Sequence, residues 1–292
     1  MKNRNNTITV HPNALIKQSG LFLMIILLAG LFTTDSLQAQ GSLLLTPKRV
    51  VFEGKKNSEI INLANLGKDT AQYVISLVEY RMKEDGGFEE ITQKEAGQFS
   101  AAPFIRFFPR IVTLAPHEAQ VIRLQLDKKG GTLAAGEYRS HLYVRAVPKI
   151  TALGEADSVQ MDGIGVKLVP VFGISIPVII RVGEMDATAS ISGLSISDSE
   201  NLLSLNMNLN RSGKMSIYGD IVVKHIAENG ATTEVGIIKG LAVYAPNEVR
   251  YIKLPLNNNG QVNYHAGKLV TQFNCMVDGK DKKLVESELA LK

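Results

Sequence analysis

The sequence predicts an all-β fold built as two β-sandwiches in tandem, and three observations predict it. Between Leu43 and Arg181 the apolar residues fall into short alternating or continuous runs. Gly, Pro, Asn and Asp divide those runs at regular intervals, as turns would. After Gly183-Glu-Met-Asp-Ala187 the same pattern begins again, near Ile191. Helical periodicity is almost absent from the chain.

The first set of strands is expected at about Leu43–Phe52, Glu59–Ala64, Gln72–Tyr80, Arg110–Thr113, Gln120–Leu126, Tyr138–Val147 and Val166–Val182. Gly54, Asn65-Leu-Gly67, Asp85-Gly86-Gly87 and Pro116 mark the turns between them. Seven strands in about 140 residues is the count of an immunoglobulin-like sandwich. The second set is expected from about Ile191 onward. It continues at Leu202–Leu209, Met215–His225, Thr233–Leu241, Val249–Leu256, Lys268–Val277 and Lys283–Leu291. Its turns fall at Asn210-Arg-Ser-Gly213, Glu228-Asn-Gly230, Pro246-Asn247 and Asp278-Gly279. The expected division is therefore a leader at 1–39, a first immunoglobulin-like domain at 40–182 and a second β-sandwich at 183–292.

The leader has the layout of a secretory signal peptide. Lys2, Arg4 and Lys17 precede the uncharged core Leu21–Phe32, and Ser36-Leu-Gln-Ala39 offers a small residue at the cut. The core is shorter than the ~20 residues a membrane-spanning helix needs, and no cysteine follows it to carry a lipid. Cleavage would leave a soluble, exported chain beginning near Gln40. The formal charge of +4 falls by two once Lys2, Arg4, Lys17 and Asp35 are gone. A chain so near neutrality has no electrostatic case for nucleic acid.

Catalytic and cofactor motifs are missing. There is no Gly-x-Ser-x-Gly, His-Glu-x-x-His or glycine-rich phosphate loop, and the pairs Glu89-Glu90 and Asp157/Asp162 lie in polar loops. The single cysteine, Cys275, sits in an alternating stretch and reads as a small core residue. It cannot form an internal disulfide, and the five histidines are scattered, so no metal site is expected. The reading is of a protein that is not an enzyme, with no cofactor and no small-molecule substrate.

Several motifs point instead to protein binding. Leu45-Thr-Pro-Lys-Arg49-Val-Val-Phe52-Glu-Gly54 resembles the opening strand of the PapD-like periplasmic pilus chaperones. Phe107-Phe-Pro-Arg-Ile-Val-Thr-Leu-Ala-Pro116-His-Glu-Ala-Gln-Val-Ile-Arg-Leu124 resembles that family's middle strands. Gly136-Glu-Tyr-Arg-Ser-His-Leu-Tyr-Val-Arg-Ala-Val-Pro148 and Val166–Arg181 are similar to its sixth and seventh strands. The Gly-Glu-Tyr form, where the best-known members have Asp-Arg-Glu-Ser, marks a divergent branch. Arg123 lies opposite Ile122 and Leu124 and carries no assigned role.

The resemblance implies a periplasmic chaperone that binds exported β-rich pilus or surface subunits by edge-strand donation and delivers them for assembly, with an outer-membrane usher as a possible further partner. It implies that Arg49 binds the subunit's terminal carboxylate; without the resemblance, the residue reads instead as an inter-domain ion pair or a solvated edge charge. The family's second ligand is a lysine, but Pro177 falls at its place, leaving Lys167 and Arg181 as substitutes. The donor set is Val166, Leu168, Pro170, Phe172 and Ile174, while Ile174–Ile180 reads as this domain's own core. The loop 149–165 is long for a hairpin. The alternative function is that of a structural or adhesive cell-surface sandwich protein.

Overall fold

A computed structural model describes residues 43–92, 97–127, 133–148, 171–184, 186–199, 202–257, 260, 262–277 and 280–291. The first sandwich is made of β1 (Leu43–Thr46), β2 (Val50–Phe52), β3 (Ser58–Asn65), β4 (Ala71–Val78), β7 (Ile105–Phe108), β8 (Ile111–Leu114), β9 (Ala119–Leu126), β10 (Gly136–Ala146) and β11 (Gly173–Val182). A small hairpin, β5 (Tyr80–Met82) with β6 (Phe88–Glu90), projects from it. The second sandwich comprises β12 (Ala187–Ser199), β13 (Leu202–Gly213), β14 (Ile217–Ile226), β15 (Thr232–Val243), β16 (Val249–Pro255), β17 (Lys268–Val277) and β18 (Lys280–Ala290).

The first sandwich stacks a sheet of order β1-β3-β9-β7 on one of order β2-β11-β10-β4-β8. Alternation decides what lies between them. On β9, Ile122 and Leu124 are fully buried while Val121, Arg123 and Gln125 are exposed. Ile61, Leu63, Leu142, Val144, Val178 and Ile180 complete the same core. Each such side chain contributes roughly 1.5–3 kcal/mol by leaving water, which fixes the register, since a slip of one residue would expose the whole set. The second sandwich stacks β12-β13-β16 on β15-β14-β17-β18 around Leu205, Leu209, Ile221, Val223, Leu269 and Phe273.

The opening strand is the first correction. Leu43–Phe52 is expected as one strand, yet β1 pairs with β3 in one sheet and β2 runs parallel to β11 in the other. Leu45 and Val50 are both buried, although five positions apart a continuous strand would aim them to opposite faces. Crossing between sheets at Pro47, Lys48 and Arg49 lets both face one core, and Pro47 has no N–H for a ladder to lose.

Other differences have local causes. The expected turn Asn210–Gly213 is part of β13. Arg211 holds it extended by donating to the carbonyls of Asn247 (2.7 Å), Gly213 (2.7 Å), Met215 (3.2 Å) and Pro246 (3.3 Å). Cys275 is only half-buried rather than a core residue. β12 begins at Ala187, before Ile191, and β5, β6 and β7 are additional strands. The turn at Asp278-Gly279, the leader and loop 149–165 lie outside the described residues.

Candidate functional site

In the five-stranded sheet, β2, β11 and β10 lie side by side. Their core-facing residues send the alternate positions to the opposite face: Arg49 and Val51 from β2 and its approach, Pro177, Ile179 and Arg181 from β11, and Glu137, Arg139 and His141 from β10. That face is covered by the second sandwich. Met82, Ile179, Ala242 and Tyr244, with Val51 against them, form a small third core in the seam.

Arginines crowd this seam. The Arg49 guanidinium carbon lies 4.7 Å from the centre of the Tyr218 ring and 5.7 Å from that of Tyr244, and Arg139 lies 4.3 Å from the Tyr244 ring. Burial makes these charges costly: it lowers the pKa of Arg49 and brings that of Arg139 down to about 10. Burial also raises the Tyr244 phenol above its ordinary range. Ring faces repay part of the lost hydration, because their quadrupole attracts a cation most strongly when water is excluded. Arg49 Nη1 and Arg139 Nε and Nη1 are buried with no hydrogen-bond partner among the described residues. Arg139 Nη2 donates to the Tyr80 carbonyl at 3.3 Å and to Gln98 Oε1 at 3.2 Å.

Arg181 is engaged differently. Its Nε donates to Glu137 Oε2 at 3.1 Å, its Nη1 to Glu53 Oε2 at 3.2 Å and its Nη2 to the Ser216 carbonyl at 3.3 Å. Glu137 in turn accepts from the Ser216 hydroxyl and, at 3.1 Å, from the Ser216 N–H. This network ties β10 and β11 to the start of β14. Arg181 thus spends its donors inside the molecule, whereas Arg49 does not.

The edge of β11 is the second component. β10 pairs along all of Gly173–Val182, but β2 meets the other side only at Val178–Ile180. Among the described residues, the outer edge of Gly173–Pro177 has no strand beside it. The Ala146 N–H donates to the Phe172 carbonyl at 2.9 Å, which sets the phase of the antiparallel ladder. Ile174 and Ile176 therefore turn their backbone groups toward β10. Gly173 and Ser175 present N–H and C=O to the open side, and Pro177 presents a carbonyl alone. The proline costs the free edge one donor and leaves the β10 ladder intact.

Of the residues singled out in the sequence, Arg49 and Arg181 share the seam, Phe172 is 47% exposed and Ile174 packs partly on the first core. Val166, Lys167, Leu168 and Pro170 lie outside the described residues. Sequence reasoning missed Arg139, Tyr218 and Tyr244. A signal for Arg139 existed, since Glu137, Arg139 and His141 put three polar groups on one face of a strand whose other face, with Tyr138, Ser140, Leu142 and Val144, carries no ionisable group but the Tyr138 phenol. Among the described residues, no three His, Cys, Asp or Glu side chains converge as metal ligands would.

No protein-family model matches the chain, and no curated protein matches it. Solved structures do. The YadV chaperone aligns at 12% identity, covering 86% of this chain and 100% of its own, with a TM-score of 0.43. The CupB2 chaperone of Pseudomonas aeruginosa aligns at 12% identity over 85% and 100%, with a TM-score of 0.39. The CsuC–CsuE chaperone–subunit pre-assembly complex of Acinetobacter baumannii aligns at 15% identity over 72% and 89%, with a TM-score of 0.39.

Proposed function

We propose that this protein is a periplasmic chaperone that holds exported β-rich pilus or surface subunits by strand pairing along β11 and delivers them for assembly. The observation that carries the reading is where the free edge of β11 ends. An added strand can pair with Gly173 and Ser175, but from Val178 onward that side is taken by β2. The incoming chain must therefore stop at Pro177, beside Arg49, the residue that precedes β2.

The charge at that point selects the orientation. A strand running parallel to β11 brings its C-terminus to Arg49, whereas an antiparallel one brings its terminal ammonium to a cluster of cations. Arg49 suits a carboxylate, which a planar guanidinium holds through two parallel charge-assisted hydrogen bonds. Main-chain bonds along the edge supply affinity, and alternate side chains such as Phe172 and Ile174 supply fit. Covering the unpaired edge of an incomplete subunit is what keeps it from aggregating. The leader, the family-like motifs and the near-neutral charge support the compartment and the class, and an outer-membrane usher is the acceptor this reading expects.

The test is to express the protein from Gln40 behind an export signal in its own periplasm and to identify what co-purifies, comparing wild type with Arg49→Ala. A small exported β-subunit recovered with wild type and lost with the variant is the expected result. Recovery with both removes Arg49 from the site. Recovery with neither replaces the chaperone by a structural or adhesive surface protein.

A further inference from the structure

Past the seam, the face of β10 and β11 that carries Arg139 and Ile179 opens to solvent. The β5–β6 hairpin, bonded to the second sandwich by the Tyr251 N–H donating to the Glu84 carbonyl at 2.7 Å, roofs His141 with the rings of Tyr80 and Phe88. Two residues further along β10, Tyr143 stands on the same face. Arg145, Gly173 and Ser175 beside it are exposed, and Tyr143 itself is half-buried. Among the described residues its hydroxyl has no hydrogen-bond partner.

The Tyr143 ring does not stand upright on the sheet. Its backbone partner on β11 is Ser175, yet a β-carbon at Gly173, the diagonal neighbour, would collide with Cε2, Cζ and the hydroxyl oxygen of the phenol. The far end of the ring therefore lies across β11, over the Gly173 backbone. Gly173 is the residue of the open stretch that permits this, since Ile174 and Ile176 point to the core and Ser175 and Pro177 carry β-carbons of their own. A glycine inside a strand often marks such a close approach, and an aromatic ring laid over an edge glycine supports the strand. Here the ring also reaches the side on which β11 has no neighbour.

We propose that Tyr143 reads one side chain of the strand added to β11, the one opposite Gly173, and favours a β-branched or aromatic residue there. This rests on the reading that β11 receives an added strand. Neighbouring strands lie about 4.8 Å apart, so a side chain opposite Gly173 and on the same face stands against the free end of the phenol ring. In the parallel orientation the residues opposite Gly173, Ser175 and Pro177 share that face. The one that meets Tyr143 is the fourth before the residue opposite Pro177, beyond which β2 takes the edge. Across strands, aromatic rings favour aromatic and β-branched partners over alanine. Opposite Ser175 the ring has already leaned away, so the selection falls on one position and not on the whole strand.

The test uses synthetic peptides about ten residues long that alternate Thr and Val, end in Val with a free carboxylate, and carry either Val or Ala as the fifth residue from that end. Affinities are measured for wild type, Tyr143→Ala, Tyr143→Phe and Gly173→Ala. The preference for Val over Ala should be about two- to fivefold larger in wild type than in Tyr143→Ala, the worth of one cross-strand pair. Tyr143→Phe should keep the wild-type preference, because the ring and not the hydroxyl makes the contact. Gly173→Ala leaves the N–H and C=O of the edge in place but pushes the ring aside, so it should still bind, with the weaker preference of Tyr143→Ala. Exchanging Val for Ala at the third residue from the end, opposite Ser175, should cost the same in all four proteins. Equal preferences at the fifth position in wild type and Tyr143→Ala, or a change as large at the third, overturn the role of Tyr143 and leave the edge reading standing. No binding of any peptide by wild type overturns the edge reading and this assignment with it.

Discussion

The guanidinium of Arg139 stacks on the ring of Tyr244, 4.3 Å from carbon to ring centre. The first group belongs to β10 of the first sandwich and the second follows β15 of the other. Arg49 approaches the same ring at 5.7 Å, so one aromatic side chain serves two cations. A desolvated cation–π contact is worth about 2 kcal/mol. That is comparable to a charge-assisted hydrogen bond, and it is reversible without breaking an ion pair.

Removing the ring should therefore cost more than an ordinary core truncation. Tyr244→Leu deletes a buried aromatic and leaves both guanidinium groups facing an alkyl chain, and about 3–5 kcal/mol of stability should be lost. Tyr244→Phe keeps the π face and should lose far less. Urea denaturation of the two variants beside wild type checks the ordering, and equal losses would mean that the hydroxyl, not the ring, matters.

The Glu137–Arg181 pair makes a separate demand. Its carboxylate side chain is 2% exposed and the guanidinium 17%, and Ser216 donates to the same carboxylate. Glu137→Gln leaves Arg181 beside a neutral amide with only the exposed carboxylate of Glu53 as its counter-ion, for which about 1–3 kcal/mol is the expected loss. Denaturant midpoints read it. The network also joins the two sandwiches, so trypsin should cut the variant near Gly183 faster than it cuts wild type.

His141 predicts an acid sensitivity. Burial first, and the charge of Arg139 second, bring its pKa down from 6.5 to about 3, and Tyr80, Phe88 and Tyr244 surround its ring. The folded protein thus keeps the imidazole neutral where the unfolded chain would protonate it. The stability this contributes is full above pH 6.5 and declines as pH falls toward 3, by roughly 1.4 kcal/mol per unit. His141→Phe should flatten the stability profile between pH 6 and 4.5, above most carboxylate titrations. An unchanged slope would place the acid sensitivity elsewhere.

Much of this was legible in the chain because period-2 alternation and turn residues are local signals. β9 follows its pattern residue by residue, with Ile122 and Leu124 inward and Arg123 outward, and β17 lies where the apolar run places it. The crossing of the first strand between sheets was not legible, since Leu45 and Val50 look like members of one run until a second sheet exists. The site was half legible. Arg49 stands out through its motif, and the apolar start of β11 through its alternation. Tyr244 and Arg139 come together from positions far apart in the chain, and no local pattern announces that a ring after β15 will cover a charge on β10. The hairpin was hidden for the same reason: Tyr80–Met82 is too short to read as a strand without the second sandwich it fastens to.

The phase of β11 yields the sharpest test of strand addition. Ser175 turns its N–H toward the open side and Ile174 turns its own toward β10, so a proline at each position removes a different donor. Ile174→Pro breaks the ladder to β10 and should destabilise the first sandwich by about 3 kcal/mol or more. Ser175→Pro leaves that ladder whole and, beside Pro177, reduces the donors of the free edge to Gly173. Its thermal midpoint should stay near that of wild type while recovery of a client subunit falls about tenfold, the worth of one main-chain bond left unmade at the interface. Undiminished client binding by a folded Ser175→Pro protein would show that β11 does not receive a strand, and the function would have to be sought on another edge.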